Sequence, residues 1–308
     1  MKAPVAKKVP HKIEKHGDVR VDNYYWLNNR EDKEVIDYLN KENDYKNTVL
    51  KDTEDLQQTL FDEIVGRIKK DDTSVPYKRN GYWYYTRFEE SGEHPIYCRK
   101  NESLDNEEEI LLDVNELAKE HSYYKVGGLS VSPNNKMLVF GEDTVSRRIY
   151  TLKLKNLVTN EITDFEIKGT TGGASWANDN ETIFYTRRDE TTLRSFQVVS
   201  TNINTKLDSV KYTEEDDTFN CGVYKTKSEK YLVVVSGASI TSEYRIISAD
   251  RPEDTFKLFQ ERVRGMEYSI AHFQDQWYVL TNWNATNFKL MQCSEEKTKR
   301  EYWSDVID

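Results

Sequence analysis

A short apolar, aromatic or β-branched run set behind a polar turn comes back along this chain, at residues 81–87 (GYWYYTR), 137–143, 182–189, 231–236 and 277–282. Equivalent centres at Tyr84, Val139, Phe184, Val233 and Val279 are spaced 55, 45, 49 and 46 residues apart. A period of roughly 40–50 residues with several short strands per unit is the pattern of propeller blades. This recurrence constrains the fold more than any other feature, because one such unit cannot bury both of its faces.

Each unit reads as short strands separated by polar turns. The first has 82–86, 95–99 and 110–112, with 113–121 (DVNELAKEH) as a loop or short helical turn that lengthens the first step. The second has 128–131, 137–141, 148–153 and 162–167; the third 173–176, 183–186, 195–200 and 210–213. The fourth has 221–225, 231–235, 244–248 and 256–259; the fifth 269–272, 277–281, 289–292 and 301–303. The predicted fold class is an all-β propeller of four-stranded antiparallel blades over residues 74–308, preceded by an N-terminal α-helical arm over residues 1–73. Five units are read, and no closing segment precedes Asp308, so the propeller is expected to be incomplete.

Residues 1–23 are charged, carry Pro4 and Pro10, and are expected to form an extended arm. An apolar knot, Tyr24 to Leu27, follows. Asn29 or Asp32 can cap a helix whose apolar positions are Val35, Ile36, Leu39, Tyr45, Val49 and Leu50. A second helix starts near Thr53, with Leu56, Leu60, Phe61, Ile64, Val65 and Ile68 as its stripe, and Pro76 prevents its continuation. A helical hairpin of this size cannot bury such faces by itself, so a partner domain is expected.

Among the 308 residues, 44 are Lys or Arg and 54 Asp or Glu, a net charge of −10. Such a balance argues against nucleic acid and anionic membrane as partners, and an acidic field can attract basic peptides. The 20 Tyr, 11 Phe and 6 Trp suit strands. Cys98, Cys221 and Cys293 are far apart and form no CxxC pair, which argues against a disulfide framework or a structural zinc and for a reducing, cytoplasmic compartment. The first residues lack the apolar core of a signal peptide, and no apolar run approaches 18 residues.

Candidate chemistry is sparse. No G-x-S-x-G elbow occurs; Gly173-Ala174-Ser175-Trp176-Ala177 comes nearest, but lacks the last glycine and opens a strand. His16-Gly17-Asp18 has no nucleophile beside it, and His94, His121 and His272 are isolated in sequence. The acidic runs 107–109 and 214–217 read as solvated turns. Gly127-Gly128 and Gly172-Gly173 read as turn or close-approach glycines near a propeller axis, not as phosphate loops, since no helix follows them. No catalytic, cofactor-binding or metal-binding residue is assigned, and no cofactor is expected.

Several stretches nevertheless match a known family in order: residues 4–45, with His16-Gly17-Asp18, Asp22 to Leu27, Tyr38-Leu39 and Glu42-Asn43; 67–87 (RIKKDDTSVPYKRNGYWYYTR); 94–100 (HPIYCRK); 110–121 (ILLDVNELAKEH); and 129–138, with its Ser132-Pro133 turn. The chain thereby resembles the N-terminal portion of oligopeptidase B (protease II), in the prolyl oligopeptidase family of serine peptidases. The likeness covers essentially the whole chain and is strongest to about Leu157.

That resemblance implies a seven-bladed, open-ended propeller capping an α/β-hydrolase domain of the same polypeptide, on which the helical arm packs. It also implies hydrolysis of short peptides after Arg or Lys, by a Ser-His-Asp triad outside this chain, with the propeller gating access. By this reading the chain alone is inactive. The alternative is a free-standing β-propeller that binds peptides or proteins without catalysis; a propeller glycosidase is weaker, because carboxylates are not spaced across equivalent positions.

Overall fold

The computed structural model describes residues 2–307. It separates into two compact units, Met1–Lys70 and Asp71–Asp308. The division thus falls slightly earlier than the 73/74 boundary drawn from sequence. Residues just before Ser74 already belong to the sheet region: Thr73 bridges Arg87, and the Phe88 amide donates to the Asp72 carbonyl at 2.9 Å.

In Met1–Lys70, the charged leader is not an extended arm but an antiparallel hairpin, β1 (His11–Lys15) and β2 (Asp18–Asp22). His16 and Gly17 have φ of 56° and 78°, the two left-handed residues that a tight hairpin turn requires. The apolar knot is a 3₁₀ turn, Tyr25–Asn28, whose Trp26 indole donates to the Lys7 carbonyl at 3.0 Å. Helix α1 (Lys33–Leu50) is capped by Asp32, whose carboxylate accepts from the Glu34 amide at 2.7 Å; α2 (Glu54–Gly66) follows one 3₁₀ turn later. Of the two apolar stripes, Val35 alone is buried.

Asp71–Asp308 is a series of antiparallel sheets. The first contains β3 (Tyr77–Arg79), β4 (Tyr82–Arg87), β5 (Ile96–Asn101) and β6 (Glu108–Asp113), in that order. Sequence pattern misses β3, because three residues are too few to show alternation. A short helix, α3 (Val114–Ala118), is capped by Asp113.

The second and third units share one seven-stranded sheet: β7 (Lys125–Val131), β8 (Met137–Asp143), β9 (Tyr150–Asn156), β10 (Glu161–Trp176), β11 (Thr182–Arg188), β12 (Ser195–Asn202) and β13 (Asp208–Thr213). They are not two separate four-stranded sheets, because β10 runs unbroken from one unit into the next. It pairs β9 through its first half and β11 through its second, with register shifts around Thr170. The last two sheets are β14 (Asn220–Lys225) to β17 (Lys257–Gln260), through β15 (Tyr231–Ala238) and β16 (Thr241–Ser248), and β18 (Tyr268–Phe273) to β21 (Ser304–Asp305), through β19 (Gln276–Thr281) and β20 (Lys289–Ser294). The strand expected at 301–303 is instead a 3₁₀ turn, Arg300–Tyr302, that delivers Trp303 to the core, where its indole donates to the Thr298 carbonyl at 2.8 Å.

Apolar clusters fill the spaces between consecutive units. Tyr84, Leu112, Leu138 and Phe140 join the first to the second, and Leu152, Trp176, Ile183 and Tyr185 the second to the third. Phe184, Val198, Leu232 and Phe256 join the third to the fourth, and Val233, Phe259, Trp277 and Val279 the fourth to the fifth. Face-to-face stacking in chain order follows from the repeat: each strand alternates faces, so each sheet offers an apolar surface to the next.

Candidate functional site

The first strands of the units approach one another, and glycines make this possible. A Cβ on Gly128 would lie 2.8 Å from the Gly173 Cα, and one on Gly141 would lie 2.3 Å from the Gly172 carbonyl oxygen. Gly127, Gly128 and Gly172 are therefore close-approach positions, whereas a Cβ on Gly173 would meet nothing within 4 Å. The turns after these strands interlock as well. Asn80 Nδ2 donates to the Pro133 carbonyl at 2.5 Å, the Asn134 amide donates to Asn180 Oδ1 at 2.7 Å, and Lys225 donates to Asn178 Oδ1. Arg79, at the end of β3, reaches Glu229 at 2.9 Å.

Two cavities result. One, of about 360 Å³, lies among residues of the first two units and is lined by Tyr77, Tyr84, Leu111, Leu129 and Leu138. The other, of about 220 Å³, is lined by residues of β3, β7, β10 and β14, including Arg79, Ser130, Ser175 and Lys225. Ser175 of the near-elbow sequence sits on β10 opposite Phe184 of β11, in regular strand register. A strand-to-helix elbow is thus not formed there.

A buried ionic network joins the third and fourth units. Glu214 is 3% exposed and accepts from Arg262 Nη2 at 2.7 Å, from Tyr212 Oη at 2.6 Å and from the Ser236 hydroxyl. Arg262 also donates to Glu243 at 3.0 Å, and Arg245 pairs with the same Glu243. Burial pushes the Glu214 carboxyl upward, but Arg262, Ser236, Tyr212 and the Asp216 amide outweigh it and bring the group down to about 2. The reading of 214–217 as a solvated turn therefore fails at its first residue. Glu108 and Glu109, in the other acidic run, are likewise engaged: Glu108 accepts from Tyr85 at 2.5 Å and Glu109 from the buried Arg99 at 2.8 Å.

His272, isolated in sequence, has two partners in space. Its Nδ1 lies 2.8 Å from the Ser228 hydroxyl and its Nε2 lies 2.7 Å from Glu295 Oε1. The three groups fall in the order of a hydrolytic triad, yet the surroundings fit a structural tie. The imidazole side chain is fully buried, and Tyr231 and Trp277 pack edge-on to it at 4.9 and 4.8 Å. The Ser228 hydroxyl is also held by Thr226 Oγ1 at 2.9 Å, and the neighbouring Glu229 amide is spent on the Thr226 carbonyl rather than left as an oxyanion donor. A usable signal was present: Ser228, in the turn before β15, and His272, near the end of β18, stand about one repeat apart on adjacent units.

The remaining sites carry less chemistry. Cys98, Cys221 and Cys293 are buried and unpaired, and burial pushes their thiols up to about 12, 12 and 11. Among the described residues, no group of three or more His, Cys, Asp or Glu is placed to hold a metal ion, and no helix is long and apolar enough to cross a membrane. His16 and Asp18 occupy the β1–β2 turn region, and Asp18 pairs with Arg20 at 2.8 Å.

A family profile described as prolyl oligopeptidase, N-terminal β-propeller domain, matches residues 4–308. The chain belongs to that family. Its propeller is 36% identical to dipeptidyl aminopeptidase BI of Pseudoxanthomonas mexicana, over 98% of this chain and 44% of the relative. It is 33% identical to protease 2 of Moraxella lacunata, over 95% of this chain and 44% of that protein. A solved oligopeptidase B from Leishmania major superposes with a TM-score of 0.92 at 26% identity, covering 100% of this chain and 46% of the other. The propeller sequence thus spans less than half the length of these relatives.

Proposed function

We propose that this chain is the access-controlling propeller portion of a serine oligopeptidase that hydrolyses short peptides after Arg or Lys. The observation that carries the proposal is the family match across residues 4–308, with relatives named as peptidases at 36% and 33% identity. In this reading the Ser-His-Asp triad belongs to an α/β-hydrolase domain of the same polypeptide. A serine there attacks the carbonyl after a basic residue, a histidine shuttles the proton, and water releases the acyl-enzyme. Sheets stacked over the cleft exclude folded proteins and admit short peptides, with opening between the two domains as the gate.

The uncovered stripe of α2 supports a partner: Leu56, Phe61 and Ile64 are each about 60% exposed. The five units read here would be part of seven, and the helices of Met1–Lys70 would pack on the hydrolase domain. Three buried, unpaired cysteines agree with a cytoplasmic location.

The test is made on source cells with an antibody raised to this chain. The expected result is a band about twice the length of the chain, immunoprecipitates of which cleave an Arg-reporter peptide and label with a serine-directed fluorophosphonate. The purified 308-residue chain is expected to do neither. A band at the chain's own mass, without cleavage or labelling, would instead favour a binding module.

A further inference from the structure

The first strands of four successive units bring together two cationic groups and two serine hydroxyls around one cavity. Arg79 ends β3, Ser130 lies on β7, Ser175 on β10, and Lys225 ends β14. All four line the 220 Å³ cavity, with Trp176 beside them. Among the described residues, neither serine hydroxyl has a hydrogen-bond partner, while the Lys225 ammonium, half-buried, meets the neutral amide oxygen of Asn178 and no carboxylate within ion-pair distance.

The surrounding acids are occupied. Glu229 is held by Arg79 at 2.9 Å. Asp250 takes the Asn178 amide at 2.7 Å, and Asp179 takes the amides of Glu181 and Thr182, each at 2.9 Å. Burial lowers the proton affinity of Lys225, and the neighbouring Arg79 adds to that effect; Glu229, Asp250 and Asp179 oppose it without cancelling it. A desolvated ammonium beside a guanidinium is costly unless an anion compensates it. The Lys225 ammonium, two hydroxyls free to turn their protons inward and the Arg79 guanidinium, which also holds Glu229, form a donor set for an oxyanion, and a guanidinium suits a planar carboxylate.

We infer that this cavity is an oxyanion site and that its ligand is the C-terminal carboxylate of a short peptide. The oxyanion chemistry stands on the cavity alone, whereas the choice of a peptide rests on the function proposed above. Seated among the first strands, the site would hold a peptide by its end.

The experiment titrates trialanine as free acid, the same peptide as C-terminal amide, and inorganic phosphate into the 308-residue chain, read by calorimetry and by Trp fluorescence. The free acid is expected to bind and the amide to bind at least about tenfold more weakly, as the loss of a charge-assisted hydrogen bond requires. Lys225→Met should weaken the free acid by about tenfold or more. Glu229→Gln, which releases Arg79 from its internal partner, should tighten it. This second variant lies at a partly exposed turn and shifts affinity in the opposite direction, so it stays informative if Lys225→Met fails to fold. Equal binding of acid and amide, or phosphate binding without the free acid, overturns the peptide assignment. Failure of both acid and phosphate to bind overturns the site. No peptidase assay enters, so this inference and the peptidase reading fail separately.

Discussion

In Asp71–Asp308 the apolar face of one sheet is met by the next, so that Phe184, Leu232, Phe259 and Trp277 are each fully buried. In Met1–Lys70 the stripe of α2 is as regular in sequence, yet Leu56, Leu60, Phe61 and Ile64 remain 47–61% exposed. Periodicity specifies which side of an element is apolar; it does not supply the surface that covers it. Sheets repeated along one chain cover one another, because each unit brings the same face at the same spacing. Two helices joined by a single 3₁₀ turn have no such succession. Their stability must come from caps and local pairs such as Asp32 to the Glu34 amide and Lys33 to Asp37, each modest at an exposed position.

The contrast is most sharply tested in the sheet core. Phe184→Ala removes a fully buried ring that meets Phe256 edge-on at 6.0 Å. The expected loss is about 3–5 kcal/mol in chemical denaturation. A loss below about 1 kcal/mol would mean that the inter-sheet clusters do not carry the stability of Asp71–Asp308.

A somewhat smaller effect is expected at Glu214. Its folded value near 2 lies below the ordinary 4.5, so the unfolded chain binds the proton more readily. The associated stability is therefore present above about pH 4.5 and is lost as pH falls through about 2. It amounts to about 3 kcal/mol. Glu214→Gln should lower stability by a similar amount at pH 7 and flatten the pH dependence across that window, since Arg262 then keeps only Glu243 of its two buried counter-charges. An unchanged acid-unfolding curve in the variant would show that another carboxylate governs it.

The smallest effect is expected on the helices. Phe61→Ala, at 61% exposure, should change stability by no more than about 0.5 kcal/mol, while reducing the binding of a hydrophobic dye to the intact chain. A loss as large as that at Phe184 would erase the contrast between the two units.

The reach of sequence reasoning differs from element to element. Runs such as 231–235 and 277–281 could be read as strands because alternation and turn residues are local properties. The helix cap was readable as Asn29 or Asp32, and the Gly-Gly pairs as turn or close-approach positions, for the same reason: side-chain acceptors and missing Cβ atoms act where they stand, while the choice between the alternatives needed the structure. Strand β3 was not legible, since three residues show no period. Neither was the fusion of two units through β10, because whether a strand ends or continues depends on the partners offered on each side.

Polar groups mark the boundary most clearly. By itself the sequence determined a series of short strands, their repeat, two amphipathic helices and membership of a propeller family. Only the tertiary structure decided that Glu214 is buried beside Arg262, that His272 meets Ser228 and Glu295, and that Lys225 and Arg79 line one cavity. The physical reason is range. Backbone propensity and side-chain alternation are set by near neighbours, whereas the protonation and partners of a buried charge depend on residues tens of positions away, which packing alone brings within 3 Å.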